Sequence, residues 1–132
     1  MSLSDNECIK MFRFDKSGLA QLKEVFEIPD EMKAENGTKW DGMEGLCILL
    51  RRLSYPNRLS DLVPIFGRHT SDISIITNYM LNYFEDNGYL DLLKNPNPFV
   101  FNQERLEMYA HAIADAGAAL DGCFGFIDGT IR

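Results

Sequence analysis

The chain has 132 residues and a formal net charge of −7, with 45% hydrophobic and 25% charged side chains. That balance suits a folded domain and argues against wholesale disorder. No apolar stretch approaches the ~20 residues of a membrane span, and the start, MSLSDNECIK, lacks the basic beginning and apolar centre of a signal peptide, so no membrane role and an intracellular location are expected.

Residues 3–12 read as a short helix, with Ile9 and Phe12 three apart. Asp15 then serves as an N-cap for a second helix whose Leu19, Leu22 and Phe26 recur every three or four residues, closed by Pro29. Lys23 and Glu27, four apart, support its polar side. Asn36-Gly37 marks a turn on the way to a third helix. Asp41 and Glu44 there form a capping-box pattern, with the Glu44 carboxylate expected to reach back to the cap's own N–H. Leu46, Leu49, Leu50 and Leu53 make its apolar stripe, and Arg51 and Arg52 fall towards the exposed edge.

After a turn at residues 54–57, a short helix carries Leu59, Leu62, Val63 and Phe66, shortened or bent by Pro64. Gly67 offers the left-handed backbone that lets one helix end and another begin sharply. Thr70 or Ser71 is expected to cap the next helix, whose stripe is Ile73, Ile76, Met80 and Phe84, ending at Gly88. This pair predicts a helix-turn-helix unit at about 58–86. YLDLLK adds a turn or two before Pro96 and Pro98. Asn102 caps a last helix with Leu106, Tyr109, Ala110 and Ile113 inward, and CFGFIDG reads as a strand ending in an Asp-Gly turn.

The predicted fold class is therefore mainly α: a helical domain over 1–120, then one C-terminal β-strand over 121–132. A lone strand leaves its N–H and C=O groups seeking water or a partner. Three cysteines, Cys8, Cys47 and Cys123, form no C-x-x-C pair, and neither histidine, His69 or His111, stands at zinc-ligand spacing from them. Cys47 falls in an apolar helical pattern and is expected to be a buried thiol.

Overall acidity disfavours indiscriminate nucleic-acid binding, whose affinity comes largely from phosphate attraction. Residues 39–84 alone carry a slight excess of cations, five basic against four acidic side chains. The start of the second helix of the pair offers Arg68, His69, Thr70, Ser71, Ser74 and Asn78. Side chains at that end of a recognition helix meet base edges in the major groove, and Ser, Thr and Asn donate to and accept from bases or phosphates. Arg51 and Arg52 are candidate phosphate contacts. Arg58 reads instead as a brace for the Tyr55-Pro56-Asn57 turn. A purely structural helical pair is the competing interpretation, since fold does not fix function.

Three stretches, FRF at 12–14, RRLSYPNRLSDLVPIFGRHTSDIS at 51–74 and GFIDGTIR at 125–132, together resemble the N-terminal part of the PIF/Harbinger family of transposase-derived DDE nucleases. The resemblance implies a helical region with a helix-turn-helix, then a catalytic domain of RNase H-like fold. It implies that Asp128 is the first of three acidic residues holding divalent metal, Mg²⁺ or Mn²⁺, and that 121–132 is the first strand of that domain. The two later acidic residues of the pattern would follow Arg132, so the expectation is an N-terminal fragment that is catalytically incompetent alone. A gene product continuing past Arg132 would instead be a metal-dependent DNA endonuclease. The family also implies a nuclear location and a Myb-like DNA-binding partner, with weak or partner-assisted contact to DNA. A helical protein-interaction module without nucleic-acid function is the alternative from a different class.

Overall fold

Asn36-Gly37 does more than turn the chain. In the computed structural model, which describes residues 3–89, 91–94 and 97–127 (side chains 92 and 93 excepted), it closes a small antiparallel hairpin. Its strands are β1 (Glu31–Lys33) and β2 (Lys39–Asp41), with Met32 opposite Trp40. The period of two, exposed–buried–exposed in both strands, sends Met32 and Trp40 into the core and the charged neighbours to water.

The helices of the N-terminal part are α1 (Asp5–Phe12), α2 (Lys16–Val25), α3 (Gly42–Ser54), α4 (Leu59–Phe66) and α5 (Thr70–Asp86). α1 starts with a capping box: the Ser4 hydroxyl accepts from the Glu7 N–H at 3.4 Å, and the Glu7 carboxylate accepts from the Ser4 N–H at 2.7 Å. Asp15 caps α2, its carboxylate accepting from the Gly18 N–H at 2.7 Å. α3 is the centre of the unit, packing against α1, α2, β2 and α5, while α4 lies on α5.

The core joins hairpin and helices. Met32 and Trp40 meet Leu46, Ile48 and Leu49 of α3, Leu62 of α4, and Ile73, Ile76 and Met80 of α5. A smaller cluster holds Cys8, Phe12 and Leu19. Most of the periodic stripes are where the pattern puts them, with two corrections. Leu53 is exposed while Ile48 is fully buried, because α3 is contacted on more than one side and its apolar arc widens. In α1, Cys8 is buried in place of Ile9.

The loop–helix junctions are tight. Gly42 and Gly45 sit where an added Cβ would lie 1.9 Å from the Pro29 carbonyl oxygen and 2.7 Å from Trp40 Nε1, respectively. Between α2 and the hairpin, Glu27 takes φ +50, an uncommon backbone for a residue with a side chain. The Tyr83 hydroxyl of α5 lies 3.0 Å from the Phe26 carbonyl and 2.8 Å from that of Glu27, tying the turn to α5.

The helix pair α4–α5 is present. Gly67, at φ +65, closes α4 by donating its N–H to the Val63 carbonyl. Pro64 lies within α4, which is only eight residues long. Neither Thr70 nor Ser71 caps α5. The N-cap is His69, whose Nδ1 accepts from the Ser71 N–H at 3.4 Å. His69 has the extended backbone a cap needs, φ −67 and ψ 153, whereas Thr70 is already helical.

Contacts divide the chain into two units, Met1–Tyr89 and Leu90–Arg132, so the helical stretch expected as one body over 1–120 is split near residue 90. The second unit contains α6 (Asp91–Lys94) and α7 (Gln103–Asp115). Asn102 caps α7 through the Arg105 N–H at 2.8 Å. Leu106, Tyr109, Ala110 and Ile113 are its half-buried positions, as the period requires. Among the described residues the expected strand does not appear: residues 121–122 turn and 123–127 run irregularly, with Phe124 and Phe126 exposed. The second unit holds no strand among the described residues, and without a partner an extended segment makes no ladder. Asp128 lies outside the described residues.

Candidate functional site

Arg68 decides what the start of α5 offers. Its Nε and Nη2 donate to the two carboxylate oxygens of Glu44 at 2.6 and 2.7 Å. The side chains keep only 24% and 25% of their exposure. This two-bond geometry is the strong form of a guanidinium–carboxylate contact, and the Glu44 hydrogen bonds hold the Arg68 pKa above its usual value. The expected reach of Glu44 back to the α3 cap is therefore corrected. Asp41 does cap α3, accepting from Met43 and Glu44 N–H at 2.8 and 3.3 Å, but the Glu44 carboxylate bonds to Arg68 instead.

The remaining residues of the expected reading face do not form one cluster. His69 is occupied as the cap, its Nδ1 also 3.0 Å from the Ser71 hydroxyl. Thr70 and Ser74 are half-buried, while Ser71 and Asn78 are exposed. Asn78 stands eight residues along the helix from Thr70, ~12 Å at 1.5 Å per residue, and lines a different surface. Asp72, in the first turn, adds negative charge where a phosphate would approach.

A second cationic locus surrounds Tyr55. The Arg51 guanidinium lies 4.7 Å and that of Arg13 5.8 Å from the centre of the half-exposed Tyr55 ring. Arg51 also points Nη1 at the Met11 carbonyl, at 3.5 Å, while its Nε is buried without a partner. Arg52 donates to the Asn57 carbonyl at 2.9 Å, so Arg52 braces the turn in the place expected of Arg58. Arg58 is exposed; its backbone N–H donates to the Asp61 carboxylate at 3.1 Å and its carbonyl accepts from the Asp61 N–H at 3.0 Å. Arg13, within the FRF stretch, was not singled out by sequence. It becomes visible only once α1 ends at Arg13, in left-handed backbone at φ +69, and α1 packs on α3.

Two concavities flank these features. One, about 710 Å³, is lined mainly by apolar groups including Phe12, Leu19, Met43, Cys47 and Phe66. Burial pushes the Cys47 thiol up to about 12, so it stays a protonated, poor nucleophile. The other, about 670 Å³, runs along α5 beside the hairpin turn, with Asn78, Tyr79, Asn82, Tyr83, Glu35 and Asp86 on its walls. Among the described residues no three His, Cys, Asp or Glu side chains stand together as a metal site. Nor is any described helix long and apolar enough to cross a membrane.

No family model matches the chain, and no curated protein and no solved structure matches it.

Proposed function

We propose that this chain is a helical protein-interaction module that meets DNA, where it does so, through a partner and not through α5. One observation carries the reading: the cation at the start of α5, Arg68, is committed to Glu44 by two charge-assisted hydrogen bonds. Turning Arg68 to a phosphate means stripping Glu44 of its partner, beside a further carboxylate at Asp72. Such competition removes the sequence-independent attraction on which helix-turn-helix binding rests. The Harbinger resemblance adds a partner class, a Myb-like DNA-binding protein, whose basic surface complements a chain of net charge −7.

The test is fluorescence anisotropy with a labelled duplex at physiological salt. The expected result is no saturable binding by the wild-type chain. Saturable, salt-sensitive binding that is lost in Arg68→Ala, with the helical circular dichroism intact, defeats the reading.

A further inference from the structure

The groove beside α5 presents the amide side chains of Asn78 and Asn82 on its wall. Asn78 and Asn82 are exposed, and neither side chain has a hydrogen bond among the described residues. Each carries an acceptor oxygen and two donor hydrogens, enough to engage the C=O and N–H of one peptide residue. Four residues apart on a helix, their attachment points are separated by ~6 Å along the axis. An extended chain returns to the same face every two residues, ~6.5 Å. The two repeats nearly coincide, so two amides on α5 are in step with alternate residues of an extended peptide.

Neighbouring groups fix the wall and the charge. Tyr79 packs edge-on against buried Trp40, ring centres 5.0 Å apart, and Tyr83 is held by its hydroxyl on the Phe26 and Glu27 carbonyls. Such anchored rings lose little freedom when a ligand arrives. Asp86 continues the four-residue spacing and Glu35 faces it from the hairpin turn. Neither carboxylate has an ion-pair partner among the described residues, and no lysine or arginine lines the groove.

We propose that this groove takes an extended peptide segment of a protein partner bearing lysine or arginine, its main chain held by Asn78 and Asn82 and its cations by Asp86 and Glu35. This deepens the interaction-module reading and rests on it. The probe is a fluorescein-tagged peptide of alternating lysine and valine, titrated with the full chain, beside the same peptide N-methylated on its backbone. Saturable binding is expected. Asn78→Ala and Asn82→Ala should each weaken it about tenfold, the loss of roughly two net hydrogen bonds, and Asp86→Asn should weaken it while flattening its salt dependence. The N-methylated peptide should not bind.

No binding, unchanged affinity in both asparagine variants, or equal binding of the N-methylated peptide each overturns the proposal. These variants sit on exposed side chains without a side-chain hydrogen bond among the described residues, so folding does not confuse the outcome. If the groove assignment fails while duplex DNA remains unbound, the interaction-module reading stands. If duplex DNA binds through Arg68, that reading falls whatever the peptide does.

Discussion

At the scale of single residues, Glu44 of α3 and Arg68 of the α4–α5 turn are tied together from 24 positions apart in the chain. Removing either partner strands the other in a place three-quarters withdrawn from water. Hydrogen bonds to charged groups contribute ~1.5–3 kcal/mol, and the remaining exposure lowers that through screening. Glu44→Ala and Arg68→Ala should therefore each destabilise by about 1–2 kcal/mol in urea unfolding. Their double mutant should lose less than the sum, and a coupling indistinguishable from zero would show the contact to be ornamental. Arg68→Lys should recover only part, since an ammonium lacks the planar fork.

The acid limb of stability belongs to the same scale. Ser4's hydrogen bonds hold the Glu7 carboxyl below its ordinary 4.5, and the Lys23 hydrogen bond holds Asp30 below 3.8. Depressed values favour the folded form when these groups are charged, so their contribution is present above the ordinary values and is lost as pH falls below them. A urea midpoint followed against pH should decline there in the wild type. It should decline less steeply in Glu7→Gln and Asp30→Asn. An identical slope in all three would exclude this account.

Among the elements, α3 depends on two glycines for different neighbours. At Gly42 a methyl would meet the Pro29 carbonyl, and at Gly45 it would meet the Trp40 ring and the Met80 sulfur. Backbone cannot yield as a flexible side chain does, so Gly42→Ala should cost about 3 kcal/mol or more, the upper end of overpacking. Gly67→Ala meets open space but a left-handed backbone at φ +65, and should cost only ~1–2 kcal/mol. Thermal unfolding that ranked these two in the opposite order would refute the packing argument.

The same elements show what sequence conveys. The stripes of α5 and α7 were legible because a period near 3.6 survives wherever one face is buried. The hairpin was missed although its signals were present, Asn36-Gly37 flanked by inward Met32 and Trp40. Strands of three residues are too short for alternation to stand out from chance. Glu44 was misassigned for another reason. A capping box is a local pattern, and the competing partner, Arg68, becomes a neighbour only after α3 and α5 pack. The groove was illegible likewise, since Asn78 suggested a base contact and gave no hint of the hairpin turn across from it. The C-terminal strand was read from an apolar run ending in an Asp-Gly turn, a local signal that cannot supply the neighbouring strand a ladder needs.

For the whole molecule, every fully buried side chain among the described residues belongs to Met1–Tyr89. A chain cut to residues 1–89 should then still unfold in one cooperative urea transition, because the core that the transition exposes is its own. A cut chain without a cooperative transition would refute that.

Trp40 is the sole tryptophan of the chain, 3% exposed, and its indole leans on the ring of Tyr79 at the groove wall. Its ultraviolet emission is therefore a built-in reporter: free of other indole signals, shielded from water, and one ring away from whatever settles along α5. A guest that shifts Tyr79 should alter the brightness of that single fluorophore in unlabelled protein, and an occupant elsewhere on the surface should leave it dark to the event.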